Sequence, residues 1–330
     1  MIVGLLKNRT QVSIFSIAII GIGLLVYNFA IPSSFFEVYN INDNLLYGLI
    51  FHDFALSSIA YKLFNFLLII IGSVFLVFVT NKNEIVSKEN FLPAFFYIIF
   101  SYSSVTSNQL QPILISNLFI IMSLYFVYNS YRTDNALSDL FNVGFLFSLA
   151  SCFYTYYIFI IPLGVFSLYI LKSFNWREWL CYLFGVFAPL YLYMSVAYLF
   201  GSDYLRPFYL FSEAMKHINT PIFSEYFLVM ILSSGFLILL AMFQYIAKGF
   251  GSRVKIQKAK YILIWLTVLC LIISFFNTAS SMFLLPCIIP FSIIIGDYVG
   301  EIKQLKLANT LMTIIIVGFL IICFHNLNFI

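Results

Sequence analysis

Apolar runs of about 17–22 residues, the length that carries a helix across hydrocarbon, alternate along this chain with short polar breaks. The pattern predicts eleven spans. They run from Gln11 to Ile31, Ser58 to Thr80, Phe91 to Thr106, Ile113 to Tyr131, Phe141 to Tyr156, Tyr157 to Leu171, Trp179 to Phe200, Tyr226 to Ala247, Tyr261 to Phe276, Met282 to Tyr298 and Leu307 to Phe324. Two of the pairs are short. A polar turn, Ser107 to Pro112, separates the first pair, and Pro162 and Gly164 interrupt the second, so both are also compatible with re-entrant hairpins. The first run has basic flanks but no small-x-small cleavage site before Pro32, which predicts that it stays as a span. No tandem repeat, low-complexity linker or soluble domain breaks the pattern, and residues 1–330 read as one integral membrane domain.

Two polar intervals are too long for turns. Residues 32–57 place Leu45, Leu46, Leu49, Ile50 and Phe54 at helical spacing against Asn44, Tyr47, His52 and Asp53, which predicts an amphipathic helix lying on a leaflet. Residues 201–225 form the second such segment.

Charge orients the spans. With the N-terminus in the cytoplasm, Lys7, Arg9, Lys82, Lys88, Arg132, Lys172, Arg177, Lys248, Arg253, Lys255, Lys258, Lys260, Lys303 and Lys306 fall inside, against Lys62, Arg206 and Lys216 outside. Cytoplasmic loops retain Lys and Arg, and one miscounted helix would invert every later loop. This predicts an inner-membrane protein with a cytoplasmic N-terminus and a periplasmic C-terminus. It also collects Glu37, Asp43, Asp53, Asp203, Glu213, Glu225 and the three histidines, His52, His217 and His325, on the outer side.

Composition strengthens the class. The chain is 62% hydrophobic and 9% charged, too few charges to cover a soluble globule, which runs near 25% charged. The 40 Phe and 23 Tyr suit a protein whose aromatic rings collect at membrane interfaces. The net charge of +4 is spread over loops rather than gathered in a patch for nucleic acid. All five cysteines lie in apolar runs with no C-x-x-C pair, and read as small buried hydrophobes.

No H-E-x-x-H, Walker loop, G-x-S-x-G or dinucleotide fingerprint occurs. Three scattered histidines do not make a di-iron site, so no metal and no cofactor is expected. Apart from the interfacial Lys62 and Asp297, the span interiors carry no ionisable residue, which weighs against an ion-coupled carrier. Asp297, near the inner end of its span, is expected to pair with a neighbouring base or reach water.

The first outer segment contains Asn42-Asp43-Asn44-Leu45-Leu46-Tyr47-Gly48. Asp43 and Tyr47 resemble the D-E-x-x-Y pattern in the first outer loop of GT-C-class glycosyltransferases, with Asn44 in place of the second acid. Gln111-Pro112-Ile113 opening a span, the hairpin from Leu146 to Pro162, and Ser281 to Pro286 with Pro290 look similar to further stretches of that class, the last without its basic residue. The resemblance implies an all-α, polytopic GT-C-like bundle with an outer amphipathic helix after the first span. It implies a donor sugar on a polyprenyl phosphate, Asp43 as general base, and Asp53 or Glu37 as second acid. Arg206, Lys216 and His217 would hold the phosphate.

A second similarity covers most of the chain from about residue 90. Gln111-Pro112 with Ser116 to Phe119, Leu140 to Phe145 with Leu149-Ala150-Ser151, and above all Phe174-Asn175-Trp176-Arg177-Glu178-Trp179 look like a family of uncharacterised Bacteroidota membrane proteins of the DUF6427 type. It implies a Gram-negative inner membrane and no activity.

Each residue also has a structural reading. Asn42 or Asp43 would cap the helix before Leu45. Arg206 and Lys216 would contact anionic lipid headgroups. Trp176, Arg177 and Trp179 would form an interfacial anchor, or dock a protein partner. Three classes stay open: the enzyme, a lipid or neutral-solute translocator with a polar path through Gln109, Gln111 and Asn117, and a non-catalytic subunit of a larger envelope complex.

Overall fold

The computed structural model describes residues 11–30, 44–51, 57–86, 90–104, 110–131, 133, 136–172, 175–201, 203–216, 235, 238–245, 254–276, 285–302 and 304–328. Among these residues the regular structure is helical throughout, without strands. Twelve helices are named here in chain order: α1 (Gln11–Ala30), α2 (Leu45–Phe51), α3 (Ser58–Lys82), α4 (Leu92–Ser104), α5 (Pro112–Asn129), α6 (Leu137–Phe153), α7 (Ile161–Leu171), α8 (Trp176–Leu199), α9 (Arg206–Lys216), α10 (Val254–Phe276), α11 (Ile288–Glu301) and α12 (Leu305–Asn328). Short 3-10 turns at Thr155–Ile160 and Leu285–Cys287 lead into α7 and α11, and residues 238–245 are helical.

Among the described residues, four helices are long and apolar enough to cross a membrane: Ile59–Lys82, Pro112–Asn129, Trp176–Leu199 and Val254–Phe275. The chain is therefore an all-helical membrane protein. Apolar but shorter are Leu92–Tyr102, Leu137–Phe153, Thr155–Leu171 and Lys306–Phe319. A helix rises 1.5 Å per residue, so the thirteen residues of α4 reach only about 20 Å. Helix α4 compensates by enclosure. Phe95, Phe96, Tyr97 and Ile98 succeed one another at 4% exposure or less, so it is walled by protein on every side, as an all-round apolar core helix is.

Local signals explain several boundaries. Ser57 caps α3 by accepting from the Ala60 N–H, and Asn175 caps α8 by accepting from the Arg177 N–H. Pro112 and Pro162 stand in the first turns of α5 and α7, where a missing N–H leaves no bond unmade. The break expected at Pro162 is thus the start of a helix. At the base of α10 the expectation fails: the helix begins at Val254, seven residues before Tyr261, and converts the basic run into its first turns.

Glycine decides the tightest crossing. A Cβ on Gly144 of α6 would lie 2.3 Å from the Tyr182 carbonyl oxygen of α8, and one on Gly185 of α8 would lie 2.3 Å from that of Phe141. The two backbones touch face to face, the small-residue contact by which membrane helices associate without a hydrophobic driving force.

Candidate functional site

Helices α3, α5, α6 and α7 share two ends. At one end Asn65 of α3 accepts from the Gln111 N–H that precedes α5, at 3.1 Å. At the other, Lys82 of α3 donates to the Tyr125 hydroxyl of α5, at 2.7 Å. Charge and polarity differ sharply between them.

The Asn65 end carries the short helix α2. Asn44 begins it, its carbonyl accepting from the Gly48 N–H. Of the caps expected from sequence, Asn42 and Asp43 lie outside the described residues, and Asn44 stands directly before the helix. Its carboxamide does something else. Oδ1 accepts from the main-chain N–H of Thr155 at 3.0 Å and from the Thr155 hydroxyl at 3.2 Å, and Asn44 is 1% exposed. One turn later Tyr47 donates to the Leu110 carbonyl at 2.6 Å. Burial, with Tyr61 adding to it, pushes this phenol up from its ordinary range, so it stays a neutral donor. The residues matching the second acid and the tyrosine of the D-E-x-x-Y pattern are both spent on holding α2 to the bundle.

Against α2 lies α9. Leu45, Cys152, Tyr193, Ala197 and Phe211 form a small buried cluster that joins α2, α6, α8 and α9. Arg206 opens α9 and is partly exposed. Asp203 precedes it, accepting from the Leu205 N–H through Oδ1 at 3.0 Å. Both Arg206 and Asp203 act electrostatically on Tyr193, so a cation, an acid and a phenol converge where α8 meets α9.

Of the residues singled out from sequence, Glu37, Asp43, Asp53 and His217 lie outside the described residues, as does the side chain of Lys216, the last residue of α9. Gln109 lies outside as well. Trp176, Arg177 and Trp179 open α8, at the end opposite Arg206. Trp176 is exposed, and the Arg177 guanidinium sits 5.8 Å from its ring centroid. Trp179 packs against the main core. Between them Glu178 turns inward and pairs with Lys172 at 2.7 Å, while Lys172 also donates to the Thr133 carbonyl.

Sequence reasoning described two groups only in part. The first is a polar seam in the core. Tyr157 donates to Asn117 Oδ1, whose Nδ2 donates to the Leu285 carbonyl, and Ser116 reaches the Ala150 carbonyl. The second is an ion pair at the Lys82 end. Lys260, expected in a loop, stands within α10 at 5% exposure and faces Asp297 of α11 at 3.4 Å. Asp297 has the partner anticipated for it; the early start of α10 supplies the base. Among the described residues no group of three His, Cys, Asp or Glu is placed to hold a metal ion.

A family model described as "Family of unknown function (DUF6427)" matches residues 33–330. No curated protein and no solved structure matches the chain.

Proposed function

The chain belongs to the DUF6427 family, whose function is unknown, and within it we propose a membrane enzyme that transfers a sugar from a polyprenyl phosphate, with a GT-C-like arrangement. It crosses a bacterial inner membrane about eleven times, its N-terminus cytoplasmic, its C-terminus periplasmic and its active face periplasmic. The acceptor hydroxyl attacks the anomeric carbon, the Asp43 carboxylate takes its proton, and the polyprenyl phosphate leaves with the bonding electrons. Asp53 or Glu37 serves as second acid. Arg206, with Lys216 and His217, neutralises the departing phosphate.

One observation carries this reading: α2 and α9 pack together through Leu45 and Phe211, so the segment that begins beside Asp43 and the helix that opens with Arg206 share one corner. The translocator reading is less well supported, because Gln111 and Asn117 are fully buried and Asn117 is bonded to protein partners on both sides.

The test pairs sidedness with activity. Single cysteines at positions 43 and 206, labelled with a membrane-impermeant maleimide, should react from the same side. Asp43→Asn should abolish turnover of a polyprenyl-phosphate sugar while leaving the melting temperature unchanged, and Arg206→Ala should lower turnover. Full turnover by Asp43→Asn would discard the base and leave a non-catalytic subunit of an envelope complex, docking a protein partner.

A further inference from the structure

Of the four crossing helices found among the described residues, α8 buries least of itself in protein. One side meets α6 through Gly185, and the other carries Phe184, Phe187, Tyr191 and Leu192 exposed. On a helix that crosses hydrocarbon, such a side faces acyl chains. The exposed apolar surface continues past the end of the crossing. Tyr198, Leu199 and Phe200 are 72%, 80% and 83% exposed. Gly201, at a φ of +66°, then turns the chain, and Tyr204, Leu205, Phe208 and Tyr209 carry the surface onto α9. The rings of Tyr198 and Tyr204 meet edge to face across the turn, their centroids 6.1 Å apart.

Length and packing set the depth of this tip. The 24 residues of α8 rise about 36 Å, against a hydrocarbon core of about 30 Å. With the exposed Trp176 at one interface, Tyr198 stands at the other, the level at which amphipathic rings gather. Helix α9 stays close to that level. Its buried side, Pro207, Leu210, Phe211 and Ala214, faces the bundle, and Phe211 shares a cluster with Tyr193 and Ala197 from the last two turns of α8. The outward side changes character along the helix, from Phe208 and Tyr209 to Ser212 and Glu213, all of them exposed. The start of α9 therefore suits hydrocarbon, and its next turn suits headgroups and water.

We propose that Phe200, Tyr204, Leu205, Phe208 and Tyr209 form a wedge that inserts into the leaflet at the Asn65 end, with phospholipid acyl chains as its partner. Continuity selects lipid over a protein partner. Leu192 and Val196, on the lipid side of α8, run into Leu199 and Phe200 at helical spacing with no charged residue between them, so one apolar solvent covers both. An exposed apolar surface of this extent is disfavoured in water, and an amphipathic helix seated this way lies in the interface. The wedge pins the α8–α9 corner to the membrane whatever chemistry that corner performs.

Photocrosslinking of the full chain in nanodiscs of phosphatidylcholine and phosphatidylglycerol tests it. The photoreactive phenylalanine analogue p-benzoylphenylalanine is placed at position 208, with position 184 on the lipid side of α8 and position 213 on the polar side of α9 as references. All three side chains are exposed, so the probe displaces no core packing. Intact-mass spectrometry after irradiation should show phospholipid adducts at position 208 within about twofold of those at 184 and several-fold above those at 213. The probe at position 204 repeats the reading at a second point of the wedge. Adduct yields at 208 and 204 no higher than at 213 would overturn the proposal, and so would a crosslinked dimer in place of lipid adducts, which would assign the surface to a second copy of the chain.

Discussion

The carboxamide of Asn44 and the residue Thr155, 111 positions later, are joined by two hydrogen bonds that share one acceptor oxygen. This bracket ties the segment after the first span to the turn between α6 and α7, and it fixes the corner where α2, α8 and α9 meet. Asn44→Ala removes the acceptor of both bonds, a loss of about 1–3 kcal/mol. Thr155→Val removes only the hydroxyl bond. A double-mutant cycle on melting temperature in detergent should give a coupling between the two of about 0.5–3 kcal/mol; additive effects would show that the bracket is not formed.

The α6–α8 crossing depends on two missing side chains. Gly144→Ala or Gly185→Ala places a Cβ 2.3 Å from a carbonyl oxygen of the facing helix. Backbone must move, at about 1–3 kcal/mol. Gly23→Ala in α1 meets nothing within 4 Å and should be neutral or raise stability by up to about 1 kcal/mol, through the gain in helix propensity. Thermal melts of the three variants should separate into these two groups.

Breaking the buried ion pair removes one charge and keeps the other inside the bundle. Lys260→Met or Asp297→Leu alone should destabilise by about 3–5 kcal/mol, and the double replacement should recover much of the loss. Equal destabilisation by single and double variants in chemical denaturation would show that the two side chains do not act as a pair.

Alkali should reach Tyr47 through the unfolded state. Its phenol is pushed up by burial in the fold, while an unfolded tyrosine ionises near pH 10. Below that pH both states hold the proton and this residue adds no pH dependence. Above it the unfolded chain releases its proton first, and stability falls by up to about 1.4 kcal/mol per pH unit for each such group. Tyr47→Phe should lose about 1 kcal/mol at neutral pH, the worth of its bond to the Leu110 carbonyl, and show a shallower decline between pH 10 and 11. An unchanged slope in pH-dependent melts would refute the assignment.

The alternation of apolar runs and polar breaks was enough to name most of the helices. Burial in lipid requires every backbone polar group to bond within its own helix, so composition and run length predict helix wherever Ser58 to Thr80 or Ile113 to Tyr131 occurs. The same signal told less about extent. Val254 to Lys260 reads as a basic loop because Lys and Arg mark water, yet packing of α10 against α11 draws Lys260 inward to Asp297. A charge is legible in sequence; the partner that makes its burial tolerable is not, since the two lie on different helices. Asn44 teaches the same lesson from the other direction. Sequence marked it as a departure from an acidic pattern, and only the fold, by bringing Thr155 beside it, turned that departure into a structural clasp. Sequence by itself determined which segments prefer hydrocarbon, because that preference is a local property of side chains. Tertiary structure decided which polar groups meet inside, because contacts across more than a hundred residues depend on how whole helices pack.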